Sequence, residues 1–358
     1  MKKIGFIAIV FVLLMMFVAC GVDSEKKAPA NKKFSVVATI YPQYDWLKNV
    51  IGERADAVDL KLLIKNGMDM HSYKPSAQDI ASIAKADLVV YVGGESDEWI
   101  EKALAATPKA GRIALNLMNA LGDRVKEEEI VEGMQAEEHH HEHADPSTSS
   151  GTEEQVHAKV TEPAEATSEH HHHDEEEEME NDEHIWLSLK NAWILVNALA
   201  QSLSKVDSAN SSIYTANAVI YNAKLWALDS EFTTAISGAS QKTVLFGDRF
   251  PFRYLVDDYG IKYYAAFAGC SAESEASFET VTFLANKMDS LALPAILTID
   301  GSNGKIARAI LEASKNSKNA QVLTLNSMQS VTDEQIKAGV DYLSIMRDNL
   351  EVLKKALK

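Results

Sequence analysis

Cysteine is nearly absent from this sequence: its 358 residues include two, Cys20 and Cys270. That excludes a disulfide scaffold and any zinc finger built on four cysteines. Basic residues are in deficit, 35 Lys and Arg against 52 Asp and Glu, for a formal net charge of −17. A general nucleic-acid binder is excluded by that balance, because phosphate contacts need Lys and Arg. Beyond the N-terminus no run is apolar and long enough to span a bilayer. There is no His-Glu-x-x-His, no nucleophile motif and no internal repeat.

What is present is unevenly spread. Glu127 to Glu183 holds 21 acidic residues and one basic one, Lys159, leaving +3 on the rest of the chain. Nine of the eleven histidines lie there too; only His71 and His184 lie outside. The segment has no periodic apolar residues, and contains Pro146, Pro163 and the run Ser147 to Gly151. It is expected to be a disordered, acidic, His-rich insert in a near-neutral body.

Residues 1–20 read as an export signal: Lys2 and Lys3, then an apolar run from Ile4 to Val18, closing on Ala19-Cys20-Gly21. Small residues ahead of Cys20 resemble a bacterial lipobox, in which Cys20 is lipidated. Residues 21–33 read as a tether. The mature protein is therefore expected to be extracytoplasmic and lipid-anchored to the bacterial cell membrane.

Two α/β alternations follow, each predicting a parallel sheet flanked by helices. In the first, apolar runs at Phe34 to Ile40, Ala57 to Ile64 and Asp87 to Val92 alternate with helical stretches, one opened by Ser76 as N-cap with Asp79 in its first turn. In the second, strands are expected at Thr243 to Phe246, Ile261 to Ala266, Pro294 to Ile299 and Gln321 to Leu325. A long helix, from about Ser208 to Ile236, joins the halves, with Ile213, Ile220, Leu225, Leu228 and Phe232 near one stripe. One C-terminal helix is expected after a capping-box pattern at Thr332 and Gln335. The division is 34–206 for the first lobe with the 127–183 insert, 207–237 for the connecting helix, and 238–358 for the second lobe.

His71 lies in a loop before the helix opened by Ser76, where ligands gather in open α/β sheets; alone, a loop histidine reads first as a solvated residue. His184 stands at the far edge of the insert, just ahead of the apolar Ile185-Trp186-Leu187. Asp300 ends the apolar strand at Ala295 to Ile299, where it either points into a crevice or caps the next turn. Within the insert, His139, His140, His141 and His143, and His170, His171, His172 and His173, define no single tetrahedral geometry. Imidazoles among carboxylates there suit a multi-site collector of zinc, copper or nickel.

The order of lipobox, Gly-x-Asp-x-His-Ser-Tyr-x-Pro-Ser, His-rich acidic insert, His-Ile-Trp-Leu and long connecting helix resembles the metal-binding lipoproteins of zinc/manganese ABC importers. The resemblance covers essentially all of the mature chain. It implies two α/β lobes on a rigid helix, one metal in the interlobe cleft, and delivery to an ABC permease and its ATPase by a monomeric receptor. It assigns His71, His184 and Asp300 as metal ligands. At the remaining ligand position stands Arg249, whose guanidinium stays protonated and cannot bind a cation. Asp248, Cys270, an insert histidine or water is left to complete the site, Cys270 reading first as a small buried hydrophobe. Two imidazoles with a carboxylate suit zinc before calcium or magnesium, with manganese as the alternative. The rival readings are an extracytoplasmic metallohydrolase and a metal-storage or adhesin lipoprotein.

Overall fold

Strand β1 (Phe34–Ala38) pairs in parallel with β2 (Val58–Leu62) on one side and β3 (Leu88–Tyr91) on the other, and β3 with β4 (Ile113–Asn116). The sheet order is β2-β1-β3-β4. Every residue of β3 is buried, as are Val36, Val37 and Ala38 of β1, which is why these strands read as unbroken apolar runs: helices cover both faces. The computed structural model describes residues 33–135, 180–271 and 275–358. The expected leader, most of the tether, Cys20 and all of the insert histidines lie outside the described residues.

Helices α1 (Tyr41–Ile51), α2 (Ala77–Lys85), α3 (Glu98–Ala106) and α4 (Leu117–Leu121) complete the first lobe. Ser76 caps α2 as expected, its hydroxyl accepting from Asp79 N–H while the Asp79 carboxylate accepts from Ser76 N–H. Sequence patterning did not show α3, β4 or α4, which are short and partly exposed.

Helix α5 (Leu189–Val206) turns into the 27-residue α6 (Ser211–Ser237), which packs back along it. At about 1.5 Å per residue α6 runs about 40 Å, long enough to reach both lobes. Its Asn217 side chain donates to Val50 O of α1, while Tyr259 of the second lobe donates to Asp229 of α6. The buried stripe is Tyr214, Ala218, Tyr221, Leu225, Leu228, Phe232 and Ile236. Ile220, expected in it, is 59% exposed, because Val219, Ile220 and Trp226 put apolar side chains on the solvent face too.

The second lobe repeats the topology with β5 (Thr243–Phe250), β6 (Lys262–Ala268), β7 (Ala295–Ile299) and β8 (Gln321–Leu325), ordered β6-β5-β7-β8 and all parallel. Its helices are α7 (Arg253–Tyr259), α8 (Phe278–Ser290), α9 (Lys305–Ala313), α10 (Asp333–Lys337) and α11 (Tyr342–Ala356). The single C-terminal helix expected after Thr332 is in fact two. The Thr332–Gln335 capping box opens α10, Gly339 at φ 91° breaks the chain, and Asp341 starts α11 with a box of its own. Among the described residues no helix is long and apolar enough to cross a membrane.

The ends of the expected insert are structured, which corrects its boundaries. Glu127 bridges antiparallel to Asn181, Glu128 N–H donates to Glu180 O, and Asp182 N–H to Lys126 O. The strand-like strap then crosses to the second lobe, where Gln135 N–H donates to Ala266 O of β6. Its acidic side chains find partners there: Tyr263 donates to Glu129, and Lys287 pairs with Glu132. An irregular strap held by backbone pairing has no apolar period, so it reads as disordered.

Candidate metal centre

His71 sits in the one-turn segment Met70–Ser72 after β2, and His184 just before the turn Ile185–Leu187 that leads into α5. Each is fixed through Nδ1. Asp182 Oδ1 lies 2.9 Å from His184 Nδ1 and also accepts the His184 backbone N–H, so the ring proton is held at Nδ1. His71 Nδ1 lies 2.8 Å from Ser96 Oγ, with Glu183 Oε2 at 3.8 Å. Both rings thereby turn Nε2 to the same point, and the two Nε2 atoms are 3.2 Å apart. Burial, reinforced by His184 and by Arg249, pushes the His71 imidazole down to about 3 against the opposing pull of Asp69, so it is neutral at pH 7.

Cys270 joins them from the loop after β6. Among the described residues one set of three metal-ligating side chains converges: His71, His184 and Cys270, with ligand atoms all within 4.8 Å of one another. Gly269 makes that approach possible, since a Cβ there would lie 2.9 Å from Phe250 O and 3.1 Å from the His184 ring. Burial, then the carboxylates of Glu128, Glu183 and Asp182, push the thiol well above its ordinary value. A metal binding there must therefore displace its proton.

Asp300, which follows β7, bonds the loop after β8. Its Oδ1 accepts from Ser327 N–H (2.5 Å) and hydroxyl (2.7 Å), and its Oδ2 from Ser330 N–H (3.1 Å) and hydroxyl. Asp300 and Asp248 line the same cleft, about 490 Å³, as His71, but neither belongs to the converging set. Arg249 is paired with Asp69, and its guanidinium outweighs burial to hold that carboxyl below its ordinary range. The insert histidines lie outside the described residues.

Sequence reasoning missed Asp182, Ser96 and Gln329. Asp182 was hidden in an acidic run, and its position two residues before His184 was the available signal. Gln329 Nε2 lies 3.2 Å from His71 Nε2 and 2.9 Å from His184 Nε2, with no sequence pattern to mark it.

Two parallel-sheet lobes on a shared helical spine, with nitrogen and sulfur donors meeting between them, define a two-lobed cleft protein of the solute-receptor type. Residues 36–356 match the family described as the periplasmic zinc-uptake complex component A, and the chain belongs to that family. It is 30% identical over 357 residues to the zinc-binding lipoprotein AdcA of Streptococcus pneumoniae, covering 99% of this chain and 61% of that protein. It is 26% identical to the high-affinity zinc uptake system protein ZnuA of Bacillus subtilis, covering 99% of this chain and 98% of that one. In three dimensions it is similar to the Zn(II)-bound ZnuA-like domain of S. pneumoniae AdcA, with a TM-score of 0.64 and 26% identity, covering 91% of this chain and 99% of that domain. The chain spans about three-fifths of the length of the streptococcal proteins. A component of an uptake complex leaves the metallohydrolase reading without support.

Proposed function

We propose that this protein is an extracytoplasmic receptor that captures zinc between its lobes and delivers it to an ABC permease and its ATPase. The observation that carries the reading is the convergence of two oriented imidazole Nε2 atoms and one thiol. His71, His184 and Cys270 supply N, N and S, a donor set suited to zinc; manganese prefers more oxygen. Asp182 behind His184 has the supporting geometry of a metal-bound imidazole, with the carboxylate on the far nitrogen. Asp300, which the resemblance assigns as a further ligand, lines the same cleft as His71 and bonds the loop from Ser327 to Ser330. Lipidation at Cys20 would tether the receptor to the membrane beside its permease. A helical spine shared by both lobes limits hinge motion, so release falls to docking on the permease.

Zinc titration in competition with a chelator tests this in the wild-type protein, His71→Ala and His184→Ala. Each variant is expected to lose the tight site by more than about 100-fold, beyond what supporting residues alone contribute. Retention of that site in both variants would refute the assignment.

A further inference from the structure

His184 holds its proton on Nδ1 against Asp182. With His71 in the same tautomer, its Nδ1–H donating to Ser96 Oγ, the two Nε2 lone pairs face each other at 3.2 Å and repel unless something positive lies between them. In this structure that role falls to the side-chain amide of Gln329. Its nitrogen is within hydrogen-bond distance of both Nε2 atoms, and an amide NH2 has two hydrogens, one for each ring. The oxygen end agrees with that orientation, because Arg249 Nη2 donates to Gln329 Oε1 at 3.4 Å, while the Ser327 hydroxyl gives its hydrogen to Asp300.

The loop that presents the amide is held on every side. Asp300 accepts from Ser327 and Ser330, the residues bracketing Met328 and Gln329. Trp186 Nε1, from the turn beside His184, donates to Ser327 O at 2.9 Å. Met328 between them is buried and left-handed at φ 65°, an unfavourable conformation for a side chain of that size, which its surroundings impose. Arg249 in turn is anchored to Asp69, two residues before His71.

We propose that Gln329 is a built-in competitor for the imidazole pair, an affinity-setting residue whose amide must leave before zinc can take both nitrogens. The proposal rests on the receptor reading above. Zinc cannot share those lone pairs with N–H donors, so each binding event includes breaking two hydrogen bonds and turning the amide into the cleft. Arg249, as the anchor of Oε1, sets how readily it turns. The device weakens binding and thereby favours release to the permease.

Gln329 is neutral, so its removal tests the idea without altering charge at the site, as an Arg249 variant would. Chelator competition with zinc on the full chain compares wild type, Gln329→Ala and Gln329→Leu, the second filling the volume without an N–H. Both are expected to bind about tenfold more tightly, as follows from losing two competing hydrogen bonds. Unchanged or weaker binding in both would overturn the proposal, weaker binding marking Gln329 as a residue that helps hold the ion. A second readout is the side-chain amide resonance pair of Gln329, identified by its loss in Gln329→Ala. One equivalent of zinc should move it toward the free-amide position; no movement would also overturn the proposal. His71→Ala in the same competition separates the outcomes. If it keeps the tight site, the receptor reading fails; if it loses the site while the Gln329 variants gain nothing, the competitor alone fails.

Discussion

A thiol beside two imidazoles sets the chemistry of this cleft at the scale of single residues. Cys270 is a neutral thiol held by burial and nearby carboxylates, and metal coordination converts it to a thiolate. Cobalt(II) substitution should therefore produce a thiolate-to-metal charge-transfer band in the near ultraviolet. Cys270→Ser should abolish the band and weaken zinc binding by at least about tenfold, while His71 and His184 still hold the ion. Persistence of the band in the variant would remove Cys270 from the ligand set. His71 and His184 were singled out in sequence by the resemblance to a known family; alone, His71 reads first as a solvated loop residue and His184 stands at the edge of the low-complexity run. Cys270 was legible only as one of several possible third partners, since its approach to His184 depends on the missing Cβ of Gly269.

At the scale of elements, the long helix α6 has two apolar faces, and only packing tells them apart. Leu228 is fully buried, whereas Trp226 is 70% exposed. Leu228→Ala should cost about 2–5 kcal/mol in denaturant unfolding, and Trp226→Ser should stay within about 0.5 kcal/mol. Equal effects would mean that the buried stripe is misassigned. The strands were readable from their apolar runs because parallel sheets covered on both faces lose the period of two. The split between α10 and α11 was hidden because Ile336, Leu343, Met346, Leu350 and Leu353 keep a helical spacing across the break, although Gly339 stands in it.

The whole molecule decides where the insert begins. Replacing residues 136–179 by a flexible Gly/Ser linker should preserve one tight zinc site, measured by chelator competition, while lowering the total number of zinc ions bound. Removing 127–183 should abolish the tight site as well, because it takes away Asp182 from His184 and the strap that joins the lobes. A storage protein would instead lose nearly all binding with the first deletion. The strap also places Glu128 against the Cys270 backbone N–H at 3.0 Å, linking the root of the insert directly to the metal centre.

By itself the sequence determined the compartment expected for the chain, its two α/β halves, the long helix between them and the two isolated histidines. All of these rest on local patterns: apolar runs, caps and charge segregation act over a few residues and survive in one dimension. Tertiary structure brought Cys270 to the two imidazoles, tied Asp300 to Ser327 and Ser330, and set Gln329 between the imidazoles. Those depend on residues far apart in the chain, His71, His184, Cys270 and Gln329, meeting at distances near 3 to 5 Å. Such meetings follow from how the lobes and the helical spine pack, and no local pattern encodes them.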